Sequence, residues 1–281
     1  MFAGLLALLA SLSWGTSDFL AGVESRRASA WGVALVGQAV AAVGSLVVLV
    51  VLAPAAPSTG IIVVLVLGGV SSATGVFAAY RALAITKMSV VAPIYAGAAV
   101  VPVVWGLARA QLPDVLQAVG IVATLIGIVV ISRPGPEAPG EGLPVTRAGV
   151  LLAVTAAVAL GLMLVALDYG AAADRSWAVA VVRCTATLCI AGVVVATRPP
   201  LRLRRPAAPL LLVVGLLILA ANALFAAATT MATLSVVGVL GWLGPAVTVL
   251  WARAVLHERM RPLQWAAAVL VLVGVVCLAA G

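Results

Sequence analysis

The sequence predicts an all-α membrane protein, a bundle of ten transmembrane helices built as two inverted five-helix repeats. Three observations lead there. Hydrophobic residues are 65% of the 281 and charged residues 9%, against roughly 45–50% and about 25% in soluble domains. A soluble core cannot absorb that excess, so lipid must solvate much of the surface. Breaking the chain at Pro, Gly and charge clusters leaves ten apolar runs, most near the ~20 residues that a spanning helix needs. Finally, the chain repeats itself at a nearly fixed offset.

The runs lie near 2–22, 30–52, 60–85, 90–110, 115–132, 147–168, 176–196, 208–231, 235–255 and 263–280. Their Gly and Ala content favours closely packed helices, and none alternates at the period of two that a barrel strand requires. The first run lacks the positive n-region of a signal peptide and is expected to be a retained span. Ser11, Trp14 and Asp18 fall on one of its faces. The third run ends in Tyr80 and Arg81. The fourth starts at Pro93, carries Tyr95 early, Pro102 inside and Trp105 late. Residues 133–146 form a Pro/Gly/Glu-rich connection, the longest in the chain. Asp168 closes the sixth run and Arg183 lies in the first two turns of the seventh. A basic loop spans 197–206, Asn222 is the one amide of the eighth run, and Trp242 and Pro245 lie early in the ninth. Ser11-xxx-Gly15 and Gly75-xxx-Ala79 are small-residue pairs suited to close helix contact.

Leu5-Leu6-Ala7 recurs at 151–153, Trp31 to Val36 recurs as Trp177 to Val182, and Gly15 matches Gly161, all at an offset of 146. Gln117 and Gly127 recur at Gln264 and Gly274, at 147. The expected organisation is a first repeat at 1–133, a linker at 134–146 and a second repeat at 147–281. Five spans per copy make the copies enter the membrane from opposite sides. Such inverted repeats surround a midplane site that opens to either face by rocking. In the gapless alignment Asp18 faces Leu164 and Gly37 faces Arg183, so the polar residues are not shared. Pro102 to Gln117 is four residues shorter than Pro245 to Gln264, which implies a shorter fourth junction in the first copy.

The net charge of +8 does not signal nucleic acid, because the basic residues fall between the apolar runs as topology signals. Junctions after odd-numbered spans hold twelve of the sixteen Lys and Arg, those after even-numbered spans hold Arg109 and Arg175, and Arg81 and Arg183 lie within spans. Both termini are therefore expected outside the cytoplasm, in a plasma (inner) membrane of bacterial type.

Charges inside spans cost about 2.5–3.5 kcal/mol each at a helix centre and mark function. Asp18 and Arg81 can share one membrane side, Asp168 and Arg183 the other, so each face has a candidate ion pair or gate. Trp14, Asp18, Tyr80, Arg81, Tyr95, Asn222 and Trp242 are the candidate lining of a substrate cavity. Pro102 and Pro245 each remove a helix hydrogen bond and are hinge candidates. Cys184, Cys189 and Cys277 are odd in number and without CxxC spacing, so neither a disulfide framework nor a metal site is expected. His257, the single histidine, sits beside Glu258 and Arg259 in a junction. No HExxH, GxSxG or P-loop occurs. An enzyme, a cofactor and ATP hydrolysis are therefore not expected, and energy would come from a gradient. Protons, acting at Asp18, are the candidate coupling ion.

The stretches SWGTSDFLAG at 13–22, YRALAITKMSVVAPI at 80–94 and LGPAVTVLWARAVLHERMRPLQWAAAVLVLVGVVCLA at 243–279 resemble the drug/metabolite transporter superfamily, in its ten-helix EamA-type branch. The resemblance implies a central cavity lined by helices 1, 3, 4, 6, 8 and 9. It implies export or exchange of small metabolites, amino-acid-like or amphipathic, without ATP. The chain departs from the pattern where Arg109-Ala-Gln111 stands in the first copy in place of the Glu258-Arg259 of the second. Its charge distribution also opposes the cytoplasmic termini that the resemblance implies. The alternative is a lipid or lipid-linked flippase, which needs a groove open sideways to the bilayer, where a transporter of soluble metabolites needs a closed polar cavity. The partners expected are a small-molecule substrate and the lipid bilayer.

Overall fold

The computed structural model describes residues 2–25, 28–86, 91, 94–131, 145–203, 205–256 and 262–280. Among the described residues ten helical segments order the chain. They are α1 (Phe2–Ser25), α2 (Ala30–Leu52), α3 (Thr59–Ile85), α4 (Ile94–Ala108), α5 (Val115–Ile131), α6 (Arg147–Ala171), α7 (Arg175–Thr197), α8 (Ala208–Thr229), α9 and α10 (Pro262–Ala280). Helix α9 has two parts, Leu234–Gly241 and Gly244–Leu256. Among the described residues seven helices are long and apolar enough to cross a membrane, and α4, α5 and α10 are shorter apolar helices. The junction around His257, Glu258 and Arg259 lies outside the described residues.

Local chemistry fixes the helix ends. The Ser29, Thr146 and Asp174 side chains accept from the backbone N–H of Gly32, Gly149 and Trp177, capping α2, α6 and α7. Each cap satisfies an amide that has no partner inside its helix. Thr146 is itself held, because its N–H donates to Thr86 Oγ1 at 2.7 Å. Helices α2 and α7 are both 23 residues long and both end on a residue with φ near +45°, Ala53 at 42° and Arg198 at 47°.

The outer surface is apolar, as a bilayer requires: Val50 and Val51 on α2, Leu188 and Val195 on α7 and Val276 on α10 are all exposed. The interior is built of Ala, Gly, Val and Leu, with Phe225 the largest fully buried side chain. Small residues let backbones approach closely, which replaces the hydrophobic driving force that lipid removes.

The principal packing pairs are α3 on α6 and α1 on α8, α3 on α7 and α2 on α8, α4 on α6 and α1 on α9, together with α5 on α10, α2 on α7 and α4 on α9. Exchanging the numbers 1–5 with 6–10 maps this set onto itself. Glycine contacts carry the same exchange to single residues. A Cβ on Gly15 would collide with Val247 Cβ and the Gly244 carbonyl, and one on Gly161 with Val101 Cβ and the Ala98 carbonyl. Each of these three correspondences has an offset of 146. Gly127 meets Val271 and Ala267, and Gly274 meets Thr124 and Gly120, all at 147. Gly69 meets Thr185 and Val182, and Gly215 meets Val40 and Gly37. There the glycines differ by 146 but their partners by 145.

Two expectations from the sequence change. Helices α2 and α7 correspond at 145, as their identical lengths also require, so Gln38 rather than Gly37 is opposite Arg183. The Trp31/Trp177 match is therefore one residue out of register. Trp31 packs on Phe77, whereas Trp177 Nε1 donates to the Pro54 carbonyl. The fourth junction is not four residues shorter. Val101 corresponds to Val247, so Pro102 corresponds to Thr248 and Pro245 to Ala99. The prolines occupy different turns, and the step from 146 to 147 leaves a difference of one residue.

Candidate functional site

Polar side chains converge on the middle of the bundle from both halves. Helices α1, α2, α3 and α4 contribute Trp14, Ser17, Asp18, Gln38, Ser72, Val76 and Tyr95 to a cavity of about 90 Å³. Helices α6 to α9 contribute Leu160, Met163, Arg183, Ile218, Gly241, Trp242, Gly244 and Pro245. Four pairs of these differ by 146: Trp14 and Leu160, Ser17 and Met163, Ser72 and Ile218, Tyr95 and Gly241. The cavity therefore lies where the two halves exchange. Its chemistry is one-sided, because in each pair the polar or aromatic member comes from the first half.

Arg183 is the ninth residue of α7, two to three turns inside the bundle, and is only 3% exposed. Its Nη1 donates to Gln38 Oε1 at 3.2 Å and its Nη2 to Ser72 Oγ at 3.1 Å. Its Nε is buried without an acceptor. Gln38 is the residue that corresponds to Arg183, so the bond joins the two α2/α7 equivalents. Thr187, one turn further along α7, donates to the Gln38 carbonyl at 3.1 Å and fixes the pair of helices. Asp18 lines the cavity and is exposed to it. No opposite charge lies beside Asp18 or Arg183 among the described residues.

Aromatic rings close the other wall. Trp242 sits where α9 breaks, in edge contact with Trp14 at 6.3 Å between centroids and tilted against Tyr95 at 5.7 Å. Trp14 also meets Phe225 of α8 at 5.6 Å. The break has a local cause. Pro245 has no N–H to give the Gly241 carbonyl, so the helix stops at Gly241 and restarts at Gly244. In α4 the turn before Pro102 tightens to a 3₁₀ segment, Gly97–Ala99.

The structure thus brings together Trp14, Asp18, Tyr95, Arg183, Trp242 and Pro245. Other candidates lie elsewhere. Arg81 is exposed and does not line the cavity. Asn222 is fully buried, and its Nδ2 donates to the Ile218 carbonyl at 2.6 Å. The Tyr80 side chain lies outside the described residues. Pro102 packs against Gly238 of α9. The expected pairing, Asp18 with Arg81 and Asp168 with Arg183, is replaced. Arg183 is too deep in α7 to reach the end of α6. Asp168 instead lies near Thr229 at the end of α8, whose hydroxyl donates to the Ala226 carbonyl, and has Arg109, at the end of α4, as its neighbouring charge. Next to the cavity residues Ser17 and Asp18 of α1, Trp251 Nε1 donates to Thr16 Oγ1 at 2.9 Å and stacks on Phe19.

Gln38 and Ser72 were missed by sequence reasoning, and helices α2 and α7 add to the six expected to line the cavity. The signal was present: Gln38 is the only amide in the apolar run of 30–52. A second concavity, about 330 Å³, runs along the outside between α3 and α6 and is lined by Val154, Val158 and Leu162 with Ser71, Thr74 and Thr155.

Residues 147–280 match the EamA-like transporter family. No curated protein matches the chain. One crystal structure superimposes over 98% of this chain and 95% of its own at a TM-score of 0.78 and 17% identity. At that identity the likeness shows the fold. The second half of this chain is thus similar to an EamA-like transporter domain, and the seven long apolar helices among the described residues fit an integral membrane protein.

Proposed function

We propose that the protein is a secondary transporter that moves small metabolites, amino-acid-like or amphipathic, by alternating access, as an exporter or exchanger. The observation that carries the reading is the cavity shared by both halves, with Asp18 and Arg183 facing it unpaired. Uncompensated buried charge, as at Arg183, is costly, several kcal/mol per ion in real proteins, and ionisable residues inside membranes mark substrate pathways. The paired contacts at offsets 145–147 support two five-helix repeats, 1–133 and 147–281, related by an axis in the membrane plane. Rocking of one repeat against the other exposes such a site to each face in turn.

Two clusters are placed to act as gates. Asp168, Thr229 and Arg109 draw together the ends of α6, α8 and α4. Thr16, Phe19 and Trp251 join the C-terminal halves of α1 and α9 beside Asp18. Pro245, beside the α9 break, is the hinge of this scheme, and Asp18 is its candidate proton site. The charge count puts the Asp18 end on the cytoplasmic side.

The test is counterflow in proteoliposomes loaded with unlabelled amino acids and supplied with tracer. Accumulation of tracer in protein-containing vesicles, lost on Asp18→Asn, is the expected result. Equal tracer in vesicles without protein would sink the reading. The flippase alternative draws only on the groove between α3 and α6. Among the described residues none that lines that groove is charged, so it suits an acyl chain rather than a headgroup. Fluorescent-lipid scrambling in the same vesicles decides between the two.

A further inference from the structure

We infer that Arg183 is the carboxylate-binding residue of the central cavity, held ready by Gln38 and Ser72, and that Arg183 with Asp18 makes the cavity select zwitterions. This rests on the transport reading and specifies the solute that reading leaves open. A guanidinium has five donors in a fixed fork, and here two are committed, to an amide and to a hydroxyl. Both partners are neutral. They fix the fork without cancelling its charge, and Nε stays without an acceptor. A cation held this deep by neutral groups has its electrostatic partner missing. An arginine fork matches a carboxylate bidentately, and the cavity is the open side from which one can arrive.

Asp18 supplies the complementary charge. It stands on α1, one turn from Trp14 on the same face, and has no described hydrogen-bond or charge partner. Trp14 and Trp242 line the same cavity, and an aromatic ring face attracts an ammonium. A solute with a carboxylate at one end and an ammonium at the other satisfies both charges at once. A pure anion or a pure cation leaves one of them uncompensated. The wall from the second half, Leu160, Met163 and Ile218, offers apolar surface for a side chain.

The correspondence of Gln38 with Arg183 gives a sharp test. Gln38→Glu keeps size and hydrogen bonding but delivers the missing counter-ion to Arg183. The probes are L-leucine, L-leucinamide and 4-methylpentanoate, which share a side chain and differ only in charge. Their affinities are measured on the purified full chain in detergent by calorimetry, with the ligand-free melting temperature as the folding control.

For the unaltered protein leucine binds about 100-fold tighter than leucinamide, because a site built around a polar group rejects the analogue lacking it. Leucine also binds tighter than 4-methylpentanoate. In Gln38→Glu the leucine-to-leucinamide ratio collapses toward one while the melting temperature holds or rises. Arg183→Lys keeps the charge without the fork and retains a reduced preference. Leucinamide binding as tightly as leucine, no binding of leucine at all, or an unchanged ratio in Gln38→Glu would each overturn the proposal. Binding with the predicted order but without counterflow would preserve this site and remove the transport reading. Counterflow without charge preference would do the reverse.

Discussion

Single residues decide how closely this bundle packs. Gly15 and Gly161 each sit where a Cβ would meet both a side chain and a backbone carbonyl. Gly15→Ala and Gly161→Ala are each expected to destabilise by about 1–3 kcal/mol, the usual cost of overpacking, and by similar amounts, since their surroundings correspond. Gly192, inside α7, has nothing within 4 Å of such a Cβ. Gly192→Ala should stabilise by up to about 1 kcal/mol through helix propensity alone. Melting temperatures in one detergent measure all three, and a fall for Gly192→Ala or no change for Gly15→Ala would contradict the packing described. At this scale the sequence disclosed Trp14, Asp18 and Arg183 as costly or unusual residues within spans. It did not disclose Gln38, because a lone glutamine in an apolar helix gains meaning only when its partner is known. That partner is 145 positions away, and the Trp match pointed to 146.

Elements carry the asymmetry between the halves. Helix α9 is interrupted at 242–243 and α4 is only tightened at 97–99, because their prolines fall on turns that do not correspond. Restoring an amide by Pro245→Ala lets residue 245 bond to the Gly241 carbonyl, joins the two parts of α9 and swings Trp242 away from Trp14. Counterflow should fall at least about tenfold while the melting temperature does not drop. Pro102→Ala should behave in the opposite way. It removes a ring packed on Gly238, so stability falls by about 1 kcal/mol or more, as for other large-to-small core changes, while counterflow in the surviving protein changes less. If both variants lose stability and activity in step, α9 is not a hinge. The helix spans themselves were legible in the sequence, since apolar runs ended by Pro, Gly and charge leave the backbone few alternatives in lipid. The two-part α9 was foreshadowed by Pro245, but its position at Trp242 was not.

The whole molecule adds orientation and the coupling of its two ends. Twelve Lys and Arg at one set of junctions against two at the other predict that both termini face away from the cytoplasm. A tag on the C-terminus should be cleaved by protease added to intact spheroplasts, and protection until lysis would reverse the assignment. With that orientation the Asp168–Thr229 contact and nearby Arg109 lie at the extracytoplasmic end. Asp168→Asn weakens this cluster, so it should raise labelling from outside of a cysteine introduced into the cavity. Unchanged labelling would show that the cluster does not control access.

The sequence by itself predicted a lipid solvent, ten spans and a duplicated organisation, because composition, span length and internal repetition are one-dimensional properties. It also located the costly charges. Only the tertiary structure decided which charge met which. Arg183 reaches Gln38 and Ser72 across 145 and 111 positions, and Asp168 finds Arg109 and Thr229 rather than Arg183. The reason is geometric. Where the halves exchange, α2, α4 and α5 meet their counterparts α7, α9 and α10, and a shift of one residue turns a side chain by about 100° on a helix. A register slip too small to disturb the apolar pattern therefore set which polar residues face the cavity.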